Sequence, residues 1–302
     1  MTIAITGSSG FLGNALVKLF LQKEIEIVCL IRKQSKYSSN RSDKVKFIEY
    51  DNKLYCSEIV EKLSEFKPEA FIHCAWKGTF GKARDEYYQF SENIPLTIDS
   101  VLLANAVGCN QWIGAGSQAE YGNKRNQIFE NEICEPQSLY GKAKLVSGIT
   151  ALELCTQLNI KGVWNRIFSL YGPGDNEDYF IPYVIKSLSS NLVPKLTGCE
   201  QIWDYLYIDD AATAFYKQIN NSCEGIFNIC SGKTIVLKEI VLLIQKMIKN
   251  NSSVIFGDIP YLKNQTMMLW GNCDKLKSLT GWESATNLEN GLDQTINYFT
   301  NK

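Results

Sequence analysis

The fold is decided by the first stretch of the chain, TIAITGSSGFLG, which runs from Thr2 to Gly13. Its first five residues are mostly β-branched, as in a short buried strand. Gly7, Gly10 and Gly13 follow, and apolar residues then recur at helical spacing as far as Phe20. A strand, a glycine loop and a helix in this order place backbone N–H groups where a pyrophosphate can bind. The alternative is a tight turn that binds nothing.

The second predicted strand, Glu26–Ile31, indicates which dinucleotide this loop would favour. NAD sites usually place an acid at the end of this strand for the ribose 2′-OH, whereas here Arg32 and Lys33 follow. An arginine suits a 2′-phosphate, which favours NADP over NAD unless both cations are only loop charges. Asp51 follows the third predicted strand, Val45–Tyr50, and can either accept from the adenine amino group or cap the loop.

Strands and helices continue to alternate as far as Phe168. This alternation predicts an α/β fold with a Rossmann-like, doubly wound parallel sheet and helices on both faces. Trp76 follows the fourth strand, where it can form a wall of the cofactor pocket or belong to the core. The other predicted strands are 69–74, 111–115 and 161–168, and the predicted helices are 56–66, about 83–107 and about 138–158.

The regular alternation ends after Phe168. Residues 1–168, together with 205–232, are expected to form a dinucleotide-binding domain. Residues 169–204 and 233–302 are expected to form a smaller α/β substrate-binding lobe on the C-terminal side. The elements predicted here are strands over Val193–Thr197 and Gly225–Cys230 and helices over Phe180–Leu188, Leu237–Lys249 and Leu288–Phe299.

Composition narrows the classes of function. The 302 residues are 45% hydrophobic with a net charge of -1, which gives no sign of a nucleic-acid or membrane partner. No apolar run reaches the length of a membrane span, and the chain starts in a strand instead of a leader. Ten cysteines without a Cys-x-x-Cys pair indicate buried thiols in a reducing cytoplasm. His73 is the only histidine, which argues against a multi-histidine metal site.

Tyr140 and Lys144 are four residues apart on a predicted helix and therefore share one face. Pro136 and Ser138 mark the start of that helix, so Tyr140 lies near its positive end. A free phenol has a pKa of about 10, and both an adjacent ammonium and the helix dipole would lower it. The pair indicates a tuned proton donor, although the spacing alone also fits an accidental pair on a solvated face.

These residues and others resemble the extended short-chain dehydrogenases/reductases, in the group of nucleotide-sugar epimerases, dehydratases and reductases, over nearly the whole chain. The motifs that carry the resemblance are Thr6-Gly7-x-x-Gly10-x-x-Gly13, His73-Cys74-Ala75, Asn93, Gly116-Ser117-x-x-x-Tyr121-Gly122, Tyr140-x-x-x-Lys144, Asn165-Arg166, Tyr171-Gly172-Pro173, Asp204-Tyr205-x-Tyr207-x-Asp209-Asp210 and Asn228-x-x-Ser231-Gly232.

The resemblance implies a role for each catalytic residue. Tyr140 is the expected general acid/base, and Lys144 is expected to bind the nicotinamide ribose and depress the pKa of Tyr140. Ser117 is expected to orient the substrate oxygen. The resemblance also implies a homodimer that pairs the helices at about 83–107 and 138–158 across a two-fold axis.

The binding residues expected from the motifs form two groups. The cofactor group is Gly7, Ser9, Gly10, Phe11, Leu12, Gly13, Arg32, Lys33, Asp51, Asn52, Cys74, Ala75, Trp76, Asn93, Tyr140 and Lys144. The substrate group is Trp76, Gln118, Asn165, Arg166, Phe180, Gln201, Trp203 and Tyr205. No metal ligands are expected.

Departures from the family pattern are also informative. The 4,6-dehydratases of the group carry Thr-Asp-Glu where this chain has Ser117-Gln118-Ala119, and neither an amide nor a methyl group can perform acid/base work. Ser169 replaces an asparagine that is common among the epimerases. Dehydration is therefore disfavoured, and a close match to the epimerases is weakened.

Two positions that often hold arginine in relatives differ here. Trp203 precedes Asp204-Tyr205, and Met268 stands at the second position, so a guanidinium is missing from the diphosphate site. Trp203 can instead stack on a base or sugar, or only pack the lobe. Replacement cations to consider are Lys186, Lys195 and Lys263.

The sequence favours an NADPH-dependent ketoreductase that reduces the keto group, expected at C4, of a 4-keto-6-deoxy nucleotide sugar in deoxysugar or polysaccharide biosynthesis. An epimerase with tightly held NAD is the alternative, since it would use the same Ser117, Tyr140 and Lys144. A dinucleotide-binding protein without catalysis and a reductase of non-sugar carbonyls also remain open.

Overall fold

A computed structural model describes residues 1–33, 42–51, 53–250 and 253–301. The strands are β1 Thr2–Thr6, β2 Glu26–Arg32, β3 Val45–Tyr50, β4 Ala70–His73, β5 Gln111–Ala115, β6 Lys161–Ile167, β7 Ser169–Tyr171, β8 Ile202–Trp203, β9 Tyr205–Tyr207, β10 Gly225–Ile229, β11 Ile235–Val236 and β12 Met268–Leu269. The α-helices are α1 Phe11–Gln22, α2 Ser57–Ser64, α3 Ile94–Ala106, α4 Leu139–Gln157, α5 Phe180–Ser189, α6 Ile208–Asn220, α7 Leu237–Ile248, α8 Asp274–Thr280 and α9 Leu288–Thr300.

The core is a parallel sheet whose strands lie in the order β10-β6-β5-β4-β1-β2-β3. All five residues of β1 are buried, as its apolar sequence predicts. The chain order reverses between β1 and β4, and open parallel sheets bind ligands at such a switch point, outside the carboxyl ends of the strands. The predicted doubly wound Rossmann-like fold is confirmed.

Helices cover both faces of this sheet. Leu16 and Phe20 of α1 join Phe215 of α6 in the larger cluster of buried apolar side chains. Val101 of α3 and Trp164 of β6 belong to the cluster on the other face. None of the described helices has both the length and the apolar character needed to cross a bilayer.

The helix predicted over 83–107 is broken into pieces. The chain forms a 3-10 turn over Gly81–Asp85 and a π turn over Gln89–Asn93, and α3 begins only at Ile94. The Gln89 amide donates to the carbonyl oxygens of Gly78 at 2.6 Å and Ala83 at 2.8 Å, which draws this turn toward the loop after β4.

Small sheets occupy the region after β6. Strand β7 pairs with β9, and β8 lies between β11 and β12, while α5, α7 and α9 pack together. The strand predicted over Val193–Thr197 is wrong, because this described segment has no strand neighbour and the Lys195 backbone N–H donates instead to the Tyr183 hydroxyl at 2.9 Å. The division into a dinucleotide-binding domain and a smaller lobe stays a prediction.

Candidate active site

The loop between β1 and α1 approaches its neighbours so closely that two of its positions require glycine. Gly7 has φ of +73°, and a Cβ there would lie 2.5 Å from the Ala75 backbone nitrogen. A Cβ on Gly13 would lie 2.1 Å from the Gly7 carbonyl oxygen. The N-terminus of α1 has no side-chain cap, and the buried Ser8 hydroxyl has no partner among the described residues. This cradle of free donors fits the pyrophosphate of a dinucleotide.

A cavity of about 270 Å³ continues from the loop along the end of β2. Of the predicted cofactor residues, Gly7, Ser9, Gly10, Arg32, Cys74, Ala75 and Trp76 line it. Lys33 and Asp51 are not among its described lining residues, because they pair with each other at 2.7 Å on the exposed side of the strands. Asn52 lies outside the described residues.

Asn93 was expected to contact the cofactor, but it supports the loop after β4. Its side chain accepts from the Lys77 backbone N–H at 2.9 Å and donates to the Lys77 carbonyl oxygen at 3.0 Å. It is buried, and neither cavity includes it among the described lining residues. Its place in the structure is therefore that of a brace for the cavity wall.

A second cavity of about 1000 Å³ opens beside the glycine loop and extends to α5 and β8. It contains Ser117, Tyr140 and Lys144 together with the predicted cofactor residues Phe11, Leu12 and Gly13. The predicted substrate residues on its wall are Trp76, Gln118, Phe180, Gln201, Trp203 and Tyr205. The structure thus brings the catalytic candidates and most of the binding candidates to one connected space.

Asn165 and Arg166 were expected to bind substrate, and the structure shows both in contacts within the protein. The Asn165 amide exchanges two hydrogen bonds of 2.8 Å with Gln218, which fastens β6 to α6. Arg166 forms a buried ion pair with Glu120 at 2.9 Å. Neither is among the described residues that line the large cavity, so each has a structural role.

Two hydrogen bonds to nearby residues in the sequence fix the position of Ser117. Its N–H donates to Glu120 Oε1 at 2.8 Å, and its hydroxyl accepts from the Ala119 N–H at 3.1 Å, which together form a capping box. Glu120 also accepts from Trp164 Nε1 at 3.0 Å. Burial raises the pKa of the Glu120 carboxyl, while Arg166 and the Ser117 N–H oppose that rise.

Tyr140 stands in the first turn of α4, and Ser138 caps this helix by accepting from the Gly141 N–H at 3.1 Å. Its ring contacts the Trp76 ring edge-on, with 6.0 Å between centroids. Burial raises the pKa of the phenol, whereas the Ser117 hydroxyl and the nearby Arg84 guanidinium lower it. Tyr140 and Ser117 therefore lie together on the wall of the cavity.

The helical spacing predicts that the Lys144 ammonium lies beside the Tyr140 phenol, but the structure gives it other contacts. Its ammonium donates to the Ala115 carbonyl oxygen at 2.6 Å and lies 3.5 Å from the centroid of the Trp76 ring. Burial lowers the pKa of Lys144 to about 7. The ammonium lies 5.9 Å from the centroid of the Tyr140 ring, and its expected effect on the pKa of Tyr140 stays a prediction.

Sequence reasoning missed two residues of this site. Glu120 carried a readable signal, since Ser117 and Glu120 have the spacing of a capping box. Arg84 carried none, because it stands at the start of a predicted helix and contacts Tyr140 only through the tertiary structure.

Trp203 and Ser169, which both depart from the family pattern, are hydrogen-bonded to each other in the structure. Trp203 Nε1 donates to the Ser169 hydroxyl at 2.7 Å across the wall of the large cavity. Of the cations considered for the diphosphate, Lys195 lines this cavity, whereas Lys186 pairs with Glu177. Lys263 is not among the described lining residues.

A Rossmann-type sheet with a glycine cradle at its switch point and a Ser–Tyr–Lys group beside it defines a dinucleotide-dependent enzyme. Residues 3–230 match the NAD dependent epimerase/dehydratase family, and the chain belongs to this family of nucleotide-sugar epimerases, dehydratases and reductases.

Similar proteins span the whole chain. It is 25% identical to dTDP-4-dehydro-6-deoxyglucose reductase of Escherichia coli, over 97% of this chain and 96% of that protein. It is 26% identical to CDP-abequose synthase of Salmonella typhimurium, over 97% of each. The fold matches UDP-glucose 4-epimerase of Thermus thermophilus in complex with NAD, with a TM-score of 0.86, 20% identity and 99% of each chain covered.

Proposed function

We propose that this protein is an NADPH-dependent ketoreductase that reduces the C4 keto group of a 4-keto-6-deoxy nucleotide sugar. The observation that carries the proposal is the Ser117–Tyr140 pair on the wall of the large cavity, next to Gln118 where a dehydratase has an acid. The similarity to a 4-dehydro-6-deoxy sugar reductase over nearly the full length supports it.

The chain's own residues supply the proton and the orientation. When bound, the nicotinamide would supply the hydride. Ser117 and Tyr140 both present hydroxyl groups to the carbonyl oxygen and hold it, and Tyr140 donates its proton as negative charge develops there. Lys144 and Trp76 form the wall below, where the ammonium can release the Ala115 carbonyl and bind a ribose hydroxyl.

The 4,6-dehydratases carry an acid pair directly after this position, and this chain has Gln118 and Ala119 after Ser117. Gln118 and Ala119 cannot transfer protons. Glu120 is fully buried and engaged by Arg166, Trp164 and the Ser117 N–H, so its carboxylate does not reach the cavity. Reduction of a ketone requires a hydride, which the nicotinamide would supply, and the proton that Tyr140 holds.

Side chains along the walls of the two cavities indicate how the cofactor and the substrate would bind. Arg32 at the end of β2 suits the 2′-phosphate of NADPH. Lys195 is the cation we assign to the substrate diphosphate, and Trp203, held by Ser169, offers a ring for the base or sugar. The ten cysteines include no Cys-x-x-Cys pair, a spacing that favours the proposed cytoplasmic location.

The test is hydride stoichiometry. The purified protein is incubated with 4-keto-6-deoxy sugars linked to dTDP, CDP, GDP or UDP, and with NADPH or NADH in separate reactions. We expect one NADPH consumed per 6-deoxy sugar formed, and faster turnover with NADPH than with NADH. Conversion without net cofactor consumption, by protein that retains bound NAD through purification, would show an epimerase instead.

A further inference from the structure

Arg84 is a cation within the reaction cavity to which neither the sequence motifs nor the proposed mechanism gives a task. It belongs to the 3-10 turn Gly81–Asp85, which is attached to the start of α4 because Asp85 Oδ1 accepts from the Leu139 N–H at 2.9 Å. This attachment places the Arg84 guanidinium carbon 4.7 Å from the centroid of the Tyr140 ring. None of the salt bridges within the described part of the chain includes Arg84.

The other charged or titratable groups around Tyr140 are less well placed to act on it. The Lys144 ammonium, on the same helix, is 5.9 Å from the ring centroid and is bonded to the Ala115 carbonyl. Glu120, behind Ser117, is compensated by Arg166. Asp85 is occupied with the helix N-terminus, and the Tyr179 phenol faces the site from the segment before α5. Arg84 is therefore the closest described cation to the phenol ring.

We propose that Arg84 is a positioning residue that acts through Tyr140, since its guanidinium stabilises the phenolate left behind when the Tyr140 proton moves to the substrate carbonyl oxygen. The proposal rests on the proposed role of Tyr140 as proton donor. In that step hydride adds to the carbonyl carbon, the π electrons move to the oxygen, and the oxygen takes the Tyr140 proton. The enzyme carries the phenolate until solvent returns a proton.

Physical chemistry sets the size of the effect. A guanidinium keeps its charge throughout the working pH range, and it is attracted to the face of an aromatic ring. An opposite charge within about 4–6 Å lowers the pKa of an acid by about 1–3 units. Because Arg84 is half-exposed in an open cavity, we expect the lower end of that range.

The first experiment needs no substrate. The tyrosinate ultraviolet band is titrated in the wild type and in Arg84→Gln, each after subtraction of the matching protein that also carries Tyr140→Phe. We expect the Tyr140 transition to move up by about one pH unit in Arg84→Gln, and by less in Arg84→Lys. Lys82→Gln, an exposed neighbour on the same turn, is the matched control and should not move it. Superimposable titrations of Arg84→Gln and the wild type would overturn the proposal.

The second experiment uses turnover in the reductive direction. Arg84→Gln should lower kcat between about three- and tenfold and shift the alkaline fall of kcat to higher pH, because a weaker acid keeps its proton longer. Only the pH range with an unchanged circular dichroism spectrum is read. A fall in kcat without that shift would show a merely structural role and would also overturn the proposal. If no ketone is reduced at all, the proposed function fails. The titration would still show whether Arg84 lowers the pKa of Tyr140.

Discussion

At the scale of single residues, Tyr140 and Lys144 show what helical spacing can and cannot predict. The four-residue interval places both on the inner face of α4, and both are buried there. The spacing does not say where a long side chain ends, and Lys144 reaches past the phenol to the Ala115 carbonyl. The cation nearest to Tyr140 comes instead from a distant turn.

Replacing Tyr140 with Phe removes the proton donor and keeps most of the ring volume. We expect kcat to fall by at least about 100-fold, since a positioned general acid typically contributes that much or more. Dinucleotide affinity should change little, because the glycine cradle is untouched. Turnover by NADPH absorbance and binding by cofactor fluorescence measure the two effects. A variant that keeps most of its activity would contradict the assigned role.

Because Lys144 is buried, we expect the free energy of unfolding of the protein to depend on pH in an unusual way. Its side chain is only 4% exposed, and burial lowers its pKa from 10.5 to about 7. Between those values the unfolded chain binds one more proton than the folded chain, so the free energy of unfolding rises with pH. Below pH 7 the burial penalty is fully present. Lys144→Met removes it, together with one hydrogen bond to Ala115.

We therefore expect Lys144→Met without cofactor to be more stable than the wild type at pH 6. Relief of the penalty contributes up to about 5 kcal/mol, and the orphaned Ala115 carbonyl costs about 1–3 kcal/mol. The advantage should shrink as the pH approaches 10. Urea unfolding at several pH values measures it, with the exposed Lys142→Met on the same helix as control. A difference independent of pH would contradict the assignment.

At the scale of elements, the buried pair of Glu120 and Arg166 joins the turn after β5 to β6. Removing one partner leaves an uncompensated buried charge, which typically costs about 3–5 kcal/mol. We expect Arg166→Met to be destabilised by that amount, and the double variant with Glu120→Gln to recover part of the loss because no charge remains. The amide introduced by Glu120→Gln would still offer an oxygen to the Ser117 N–H.

Equilibrium unfolding in urea of the two single variants and the double variant gives the coupling energy. The exposed pair of Lys62 and Glu58 on α2 is the control, and Lys62→Met should have no measurable effect. Additive losses at Glu120 and Arg166 would show that the two groups do not act as a unit.

The sequence predicted those elements whose periodicity is local and could not predict those that depend on distant partners. The bounds of β1 and β5 agree with the prediction, because each is a short run of fully buried residues. The interruption before α3 depends on Gln89 amide bonds to carbonyls that are remote from the helix pattern. The segment Val193–Thr197 is apolar enough for a strand but has none beside it in the described structure.

The same distinction applies to the site. The glycine cradle and the Ser117, Tyr140 and Lys144 group follow from short motifs with fixed geometry. Asn165 and Arg166 belong to a motif as well, yet a motif does not show which side of the strand each side chain occupies. Which polar residues face a cavity is decided by tertiary packing.

At the scale of the whole molecule, α3 and α4 pack side by side and leave an apolar face on the outside. Val146 and Ile149 lie three residues apart on α4, and their side chains are 41% and 62% exposed. Ile98 and Leu102 of α3 are half-buried. Exposed apolar side chains on two adjacent helices favour a protein interface, and a two-fold axis would pair this face with itself. We therefore keep the prediction of a homodimer through α3 and α4.

Ile149→Glu, combined with Val146→Glu, should dissociate this dimer, because two-fold symmetry brings like charges together in a desolvated interface. We expect light scattering at micromolar concentration to give twice the chain mass of 34.1 kDa for the wild type and the single mass for the variant. Leu279→Glu on α8, where the leucine is 55% exposed, is the matched control and should stay dimeric. The midpoint of thermal unfolding should rise with protein concentration only in the dimeric proteins. A monomeric wild type would contradict the predicted dimer. Since α4 also carries Tyr140, it would mean that contacts within one chain alone hold this helix in place.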